Sequence, residues 1–133
     1  MVKKLIKMQL TKNFKSREFD CKDGTKVPEK YMANLKKLAN NLQVLRDYLG
    51  VSVSVTGSGY RTPSHNKKVG GATNSQHLTA SGADINAKGY MPKKLAEVIE
   101  KLIAEGKMKQ GGIGIYKGFV HYDIRGTKAR WNG

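Results

Sequence analysis

The sequence predicts an α+β fold, a small antiparallel sheet with helices packed against it. Three observations carry this expectation. Two long stretches repeat apolar residues at helical spacing, one run of five residues alternates strictly, and two short apolar segments near the C-terminus flank a Lys-Gly turn. At 133 residues the chain suits one domain with a substantial core, too short for two independent ones.

Thr11 to Pro28 is polar, carries Asp23-Gly24 as a turn signal and reads as a surface arm. The division expected is an arm over residues 1–28 and a core over 29–133. From Pro28 onward Met32, Leu35, Leu38, Ala39, Leu42, Leu45 and Leu49 recur three and four apart, which makes one apolar helix face, and Gly50 is placed to end it. Val51-Ser52-Val53-Ser54-Val55 puts three valines on one side of a strand. It runs into Thr56-Gly57-Ser58-Gly59, where the backbone leaves the sheet. A loop then leads into a strand at Ala83-Asp84-Ile85. Pro92 to Glu105 fits a second helix, with proline in its first turn and Leu95, Val98, Ile99, Leu102 and Ile103 along one face, and Gly106 as its stop. Ile113–Tyr116 and Phe119–Ile124 read as a hairpin around Lys117-Gly118.

Twenty-five Lys and Arg against ten Asp and Glu give a formal charge of +15, which attracts polyanions without choosing among nucleic acid, anionic wall polymers and membrane surfaces. The lysines are scattered, neither set in one basic helix nor interleaved with stacking aromatics, so nucleic acid is not the expected partner. A single cysteine, Cys21, excludes an internal disulfide and the multi-cysteine zinc modules. Lysines at 3, 4 and 7 break up Met1–Leu10, which therefore lacks the apolar stretch of a secretory signal. No run approaches a membrane span.

The acids are informative because they are few. Asp84 is the only Asp or Glu between Asp47 and Glu97, and Asp123 the only one after Glu105. Both fall near histidines, in Ser75-Gln76-His77 through Asp84 and in His121-Tyr122-Asp123. His77, Asp84 and His121 form a donor set that suits a catalytic zinc with a fourth position open to water. On a strand, His121 and Asp123 share one face, since side chains alternate with a period of two.

The segments Ser58-Gly59-Tyr60-Arg61-Thr62-Pro63-Ser64-His65-Asn66, Val69-Gly70-Gly71-Ala72, Ser75-Gln76-His77 to Ala83-Asp84-Ile85, and Gly114-Ile115-Tyr116 to Phe119-Val120-His121-Tyr122-Asp123 resemble the zinc D-Ala-D-Ala carboxypeptidase family, grouped with lysostaphin and hedgehog-type metallopeptidases. The likeness covers nearly the whole chain and extends to members from bacteria and phages. It implies a hedgehog/DD-peptidase fold, Zn²⁺ held by His77, Asp84 and His121, and hydrolysis of peptidoglycan stem peptides by metal-activated water. Arg61 matches the family arginine that faces substrate, where it would pair with a terminal carboxylate or stabilise an oxyanion. Ser75 and His65 are expected near substrate.

The general base is where the sequence departs from the family. Some relatives carry an acid three residues before the last ligand, where this chain has Gly118; others carry a histidine two before it, where it has Phe119. Asp123 is the expected base, with two alternatives: it orients a ligand imidazole or pairs with Arg125. His65 is the third candidate. The lack of a secretory signal leads to the expectation of a chain made in the cytoplasm that reaches a cell wall on release, a monomer is expected, and a wall-binding module without catalysis is the competing reading.

Overall fold

Leucine spacing builds the first helix as expected. In the computed structural model, which describes residues 9–133, α1 spans Met32–Leu49 and buries Leu35, Leu38, Ala39, Leu42 and Leu45. Those residues lie three and four apart and so share one face. A 3-10 turn, Glu29–Tyr31, leads in from extended Pro28, and the helix ends at Gly50. The reading of Met1–Leu10 falls almost entirely outside the described residues. Among those that are described, no helix is long and apolar enough to cross a membrane.

Two more helices follow. α2, Pro63–Lys68, was not expected from the sequence, although its start is signalled: Thr62 caps it by accepting the His65 N–H, and Pro63 occupies the first turn. α3, Pro92–Ala104, matches the second expected helix and buries Leu95, Ala96, Ile99 and Leu102.

The sheet has five strands: β1 Val53–Val55, β2 Gly82–Ala87, β3 Gly112–Ile115, β4 Val120–Asp123 and β5 Ala129–Asn132. Their order is β1-β2-β4-β3-β5. The first four pair antiparallel, the expected pattern, and β3–β4 is the expected hairpin. β5 corrects the all-antiparallel picture, since it adds to β3 in parallel in a segment where no strand was expected. Val51 and Ser52 precede β1, which is shorter than the alternating run.

Alternation sorts the two faces of the sheet. Ala83 and Ile85 on β2, Ile113 on β3, and Val120 and Tyr122 on β4 join the helices in one buried core, with α3 against β2, β3 and β4 and α1 against β1. Full burial of each such leucine or isoleucine contributes about 1.5–3 kcal/mol. The opposite parity, Asp84, Gly114, His121 and Asp123, faces away from this core.

The arm is not a surface feature. Phe14 and Phe19 are fully buried and Cys21 nearly so. Tyr60 N–H donates to the Phe19 carbonyl at 2.7 Å, which fixes the arm beside the loop after β1. Its expected turn at Asp23-Gly24 is present, closed by Gly24 N–H to the Cys21 carbonyl at 2.9 Å.

Candidate metal centre

Sheet register places the first two donors. Asp84 on β2 lies directly opposite His121 on β4, close enough for their side chains to meet. His77 comes from a 3-10 turn, Gln76–Thr79, whose first N–H groups are served by Ser75: its hydroxyl accepts from His77 N–H at 3.2 Å. Ala80 then adopts a left-handed conformation at φ +57°, which turns the chain into β2. The seven-residue gap between His77 and Asp84 is thus a short turn, a reversal and the strand entry.

The three side chains converge. Asp84 Oδ1 lies 3.3 Å from His77 Nε2 and 3.2 Å from His121 Nδ1, and all three residues are buried. Each donor is oriented from behind. His77 Nδ1–H donates to the Gly59 carbonyl at 2.7 Å, so its Nε2 presents a lone pair. His121 Nε2–H donates to Asp123 Oδ2 at 2.7 Å, so its Nδ1 presents one too. Asp84 Oδ2 accepts the Ser58 N–H at 3.2 Å and lies 3.8 Å from Arg61 Nη2.

Two lone pairs and a carboxylate oxygen facing one another require a positive charge between them. A proton meets the need in the bare protein. Burial would lower the His121 pKa, but hydrogen bonds to Asp123 and Asp84 outweigh it and the net shift is upward. Burial would likewise raise Asp84, and the hydrogen bonds of His121 and His77 hold it well below the usual carboxylate range instead. A divalent cation answers the same demand with three bonds, and two imidazoles with one carboxylate are a zinc-type donor set.

Backbone closeness makes room for this arrangement at two glycines. A Cβ on Gly57 would come 2.7 Å from the Asp84 Cβ. One on Gly114 would collide with Trp131 Nε1. Gly114 lies between His121 and Trp131 in the ladder, so the indole leans over the missing side chain to within 5.2 Å of the His121 ring.

The donors open onto a cleft of about 700 Å³ lined by Arg61, Gly71, Ser75, Tyr116, Arg125 and Trp131, among others. Arg61 is held by Nε–H to Ser58 Oγ at 2.9 Å and Nη1–H to Asn66 Oδ1 at 3.1 Å. Arg125 lies over the Trp131 ring at 5.5 Å. Two fixed guanidiniums therefore face the cleft, and Ser75 lines it with them.

Asp123 and His65 lie elsewhere. Asp123 is wholly buried behind His121 and does not line the cleft. Its Oδ1 accepts N–H groups from Gly112 at 2.9 Å and from Arg125 Nε at 2.9 Å, and its Oδ2 accepts from Arg125 Nη2 at 2.8 Å besides His121. That geometry is the one anticipated as the alternative to a base: a carboxylate that orients a ligand and pairs with Arg125. His65 sits on α2 beside Cys21 and Asp23 and does not line the cleft.

Tyr60 and Tyr122 are core, whereas Tyr116 and Trp131 line the cleft, joined by Trp131 Nε1–H to Tyr116 Oη at 2.9 Å. Sequence reasoning missed the contributions of Trp131 and Arg125 to the cleft, because both depend on β5 and the turn before it.

Comparison with curated proteins and with solved structures gives no match. A family model for peptidase M15 matches residues 9–123, a span that leaves out Arg125 and Trp131. It takes in most of the chain, including His77, Asp84, His121 and Asp123, and the chain is a member of the peptidase M15 family.

Proposed function

We propose that this chain is a zinc-dependent peptidase that hydrolyses peptidoglycan stem peptides, as a D-Ala-D-Ala-type carboxypeptidase or a murein endopeptidase. The observation that carries the reading is the convergence of His77 Nε2, His121 Nδ1 and Asp84 Oδ1 at the base of an arginine-flanked cleft. His77, Asp84 and His121 would hold the ion. When bound, Zn²⁺ supplies a Lewis acid that polarises a carbonyl and acidifies water.

The remaining roles belong to the chain itself. Gly59 and Asp123 keep the protons of His77 and His121 on the nitrogens that point away from the cleft. Asp123, with Arg125 balancing its charge, is a positioning residue for His121. Arg61, already anchored to Ser58 and Asn66, offers its remaining N–H groups to a peptide carboxylate or to the oxyanion that develops on a carbonyl. Trp131 and Tyr116 wall one side and shield the site from water. The charge of +15 favours an anionic wall as the surface on which the protein works, as a monomer released from the cell that made it, and activity should fall with added salt.

The second reading, a wall-binding module that keeps a metal without catalysis, rests on one observation: among the described residues that line the cleft, Asp84 is the only carboxylate. Purified peptidoglycan incubated with the protein, with and without Zn²⁺, separates the two. The peptidase reading expects new amine groups and muropeptides shortened or cut at a peptide bond, only with zinc. Sedimentation with the wall and no released fragment would establish the module instead.

A further inference from the structure

Among the described residues, two groups of three bring one ligand atom each from His, Cys, Asp or Glu within 4.8 Å of one another: the centre above, and Cys21, Asp23 and His65. The second group draws on two separate segments. Cys21 and Asp23 belong to the turn of the arm, which is closed by Cys21 N–H to the Thr25 carbonyl and Gly24 N–H to the Cys21 carbonyl, both at 2.9 Å. His65 belongs to the first turn of α2.

Thr62 joins the segments before any ligand arrives. Its hydroxyl donates to Asp23 Oδ2 at 2.8 Å and lies 4.0 Å from Cys21 Sγ, while Asp23 Oδ1 accepts the Thr25 N–H at 2.9 Å. Burial is graded across the group: Cys21 is buried, His65 half-buried and Asp23 exposed. The thiol thus lies inward and the carboxylate at the surface, within reach of solvent.

A thiolate, an imidazole and a carboxylate select zinc-like transition metals over magnesium or calcium, which prefer all-oxygen shells. Donors around a tetrahedral zinc lie roughly 3.3–3.8 Å apart, given bonds of about 2.0–2.3 Å. The 4.8 Å limit of the group is about 1 Å wider than that spacing, so ligation draws the three donors together.

We propose that Cys21, Asp23 and His65 form a second metal site, which takes Zn²⁺ with a solvent molecule as fourth ligand and clamps the arm to α2. Ligation displaces the Cys21 thiol proton to solvent. The clamp bears on the cleft through Asn66 of the same helix, which accepts from Arg61.

Cobalt distinguishes the two sites because Cys21 is the only cysteine and the cleft set holds no sulfur. Metal-free full-length protein is titrated with Co²⁺ and followed in the near ultraviolet for the sulfur-to-cobalt charge-transfer band. The proposal expects this band in the wild type, its survival in a His77→Ala/His121→Ala double variant, and its loss in Cys21→Ser. His65→Ala, which keeps the sulfur and alters a partly exposed position, should weaken the band's apparent affinity at least about tenfold and guards against a Cys21→Ser chain that fails to fold. No sulfur band in the wild type, or an unchanged affinity in His65→Ala, would overturn the site.

Discussion

At the sheet, Asp84 and His121 face each other through a ladder register, whereas at the arm Cys21, Asp23 and His65 meet through a turn, a short helix and the hydroxyl of Thr62. In the first cluster every donor is buried and each has its other polar atom engaged from behind. In the second the carboxylate is exposed and both its oxygens already accept hydrogen bonds, from Thr62 and Thr25. The contrast separates two ways of assembling a donor set. A register cannot slip by one residue without sending a side chain to the other face, so Asp84 and His121 are fixed relative to each other, and turn-borne His77 is held by its hydrogen bond to the Gly59 carbonyl. The arm donors lack a shared register, so that cluster should bind with more adjustment and release its ion more readily.

The largest expected effect comes from removing a sheet donor. His121→Ala or Asp84→Ala should reduce zinc at the cleft and hydrolysis of peptidoglycan to background, with the sulfur–cobalt band of the arm unchanged. Metal analysis beside muropeptide release checks this, and loss of both metals together would mean that the clusters are one cooperative unit.

Next is the support behind the donor. Asp123→Asn weakens the hydrogen bond from His121 and unbalances Arg125, and loss of such a partner typically costs 10–100-fold in metal affinity or activity. Competition with a chromophoric chelator reads the affinity. Unchanged zinc affinity with turnover abolished would return Asp123 to the role of base, whereas weaker zinc binding identifies it as the group that positions His121.

A smaller effect tests the row that crosses the sheet. Gly114→Ala would drive a methyl group into the Trp131 indole, and overpacking of this kind costs about 1–3 kcal/mol. Denaturant unfolding gives the loss, and fluorescence of the only tryptophan reports its displacement from His121.

The smallest effect lies outside both clusters. Glu100 takes two hydrogen bonds from Arg130, whose pairing lowers the Glu100 pKa from 4.5. A lowered carboxylate contributes stability above its unfolded pKa and loses it as pH falls. Glu100→Gln should therefore cost less than about 1 kcal/mol at neutral pH, as exposed pairs do. The difference from wild type should shrink below about pH 4.5. A gap that persists in acid would point to packing rather than charge.

Much of the fold and of the cleft is legible in the residues alone. Both long helices can be read because an apolar stripe at three- and four-residue spacing has one way to be buried, and their glycine stops lie where expected. The hairpin carries its turn chemistry at Lys117-Gly118. The three cleft donors stand out because acids are so scarce there. Arm burial is obscured because Phe14 and Phe19 sit among polar neighbours with no periodic pattern to reveal a face. α2 is too short to generate a periodicity, although Thr62-Pro63 marks its start. β5 has no apolar alternation and exists because β3 offers it an edge.

The sequence by itself determined which residue types are present to bind a cation, the helices that build the core, and the parity that puts His121 and Asp123 on one face of a strand. Those follow from local spacing and side-chain chemistry. Only the tertiary structure decided that Asp84 stands opposite His121, that Asp123 is buried behind it, and that Trp131 lines the cleft. Each of these depends on which strands become neighbours, and that is set by burial of the core as a whole.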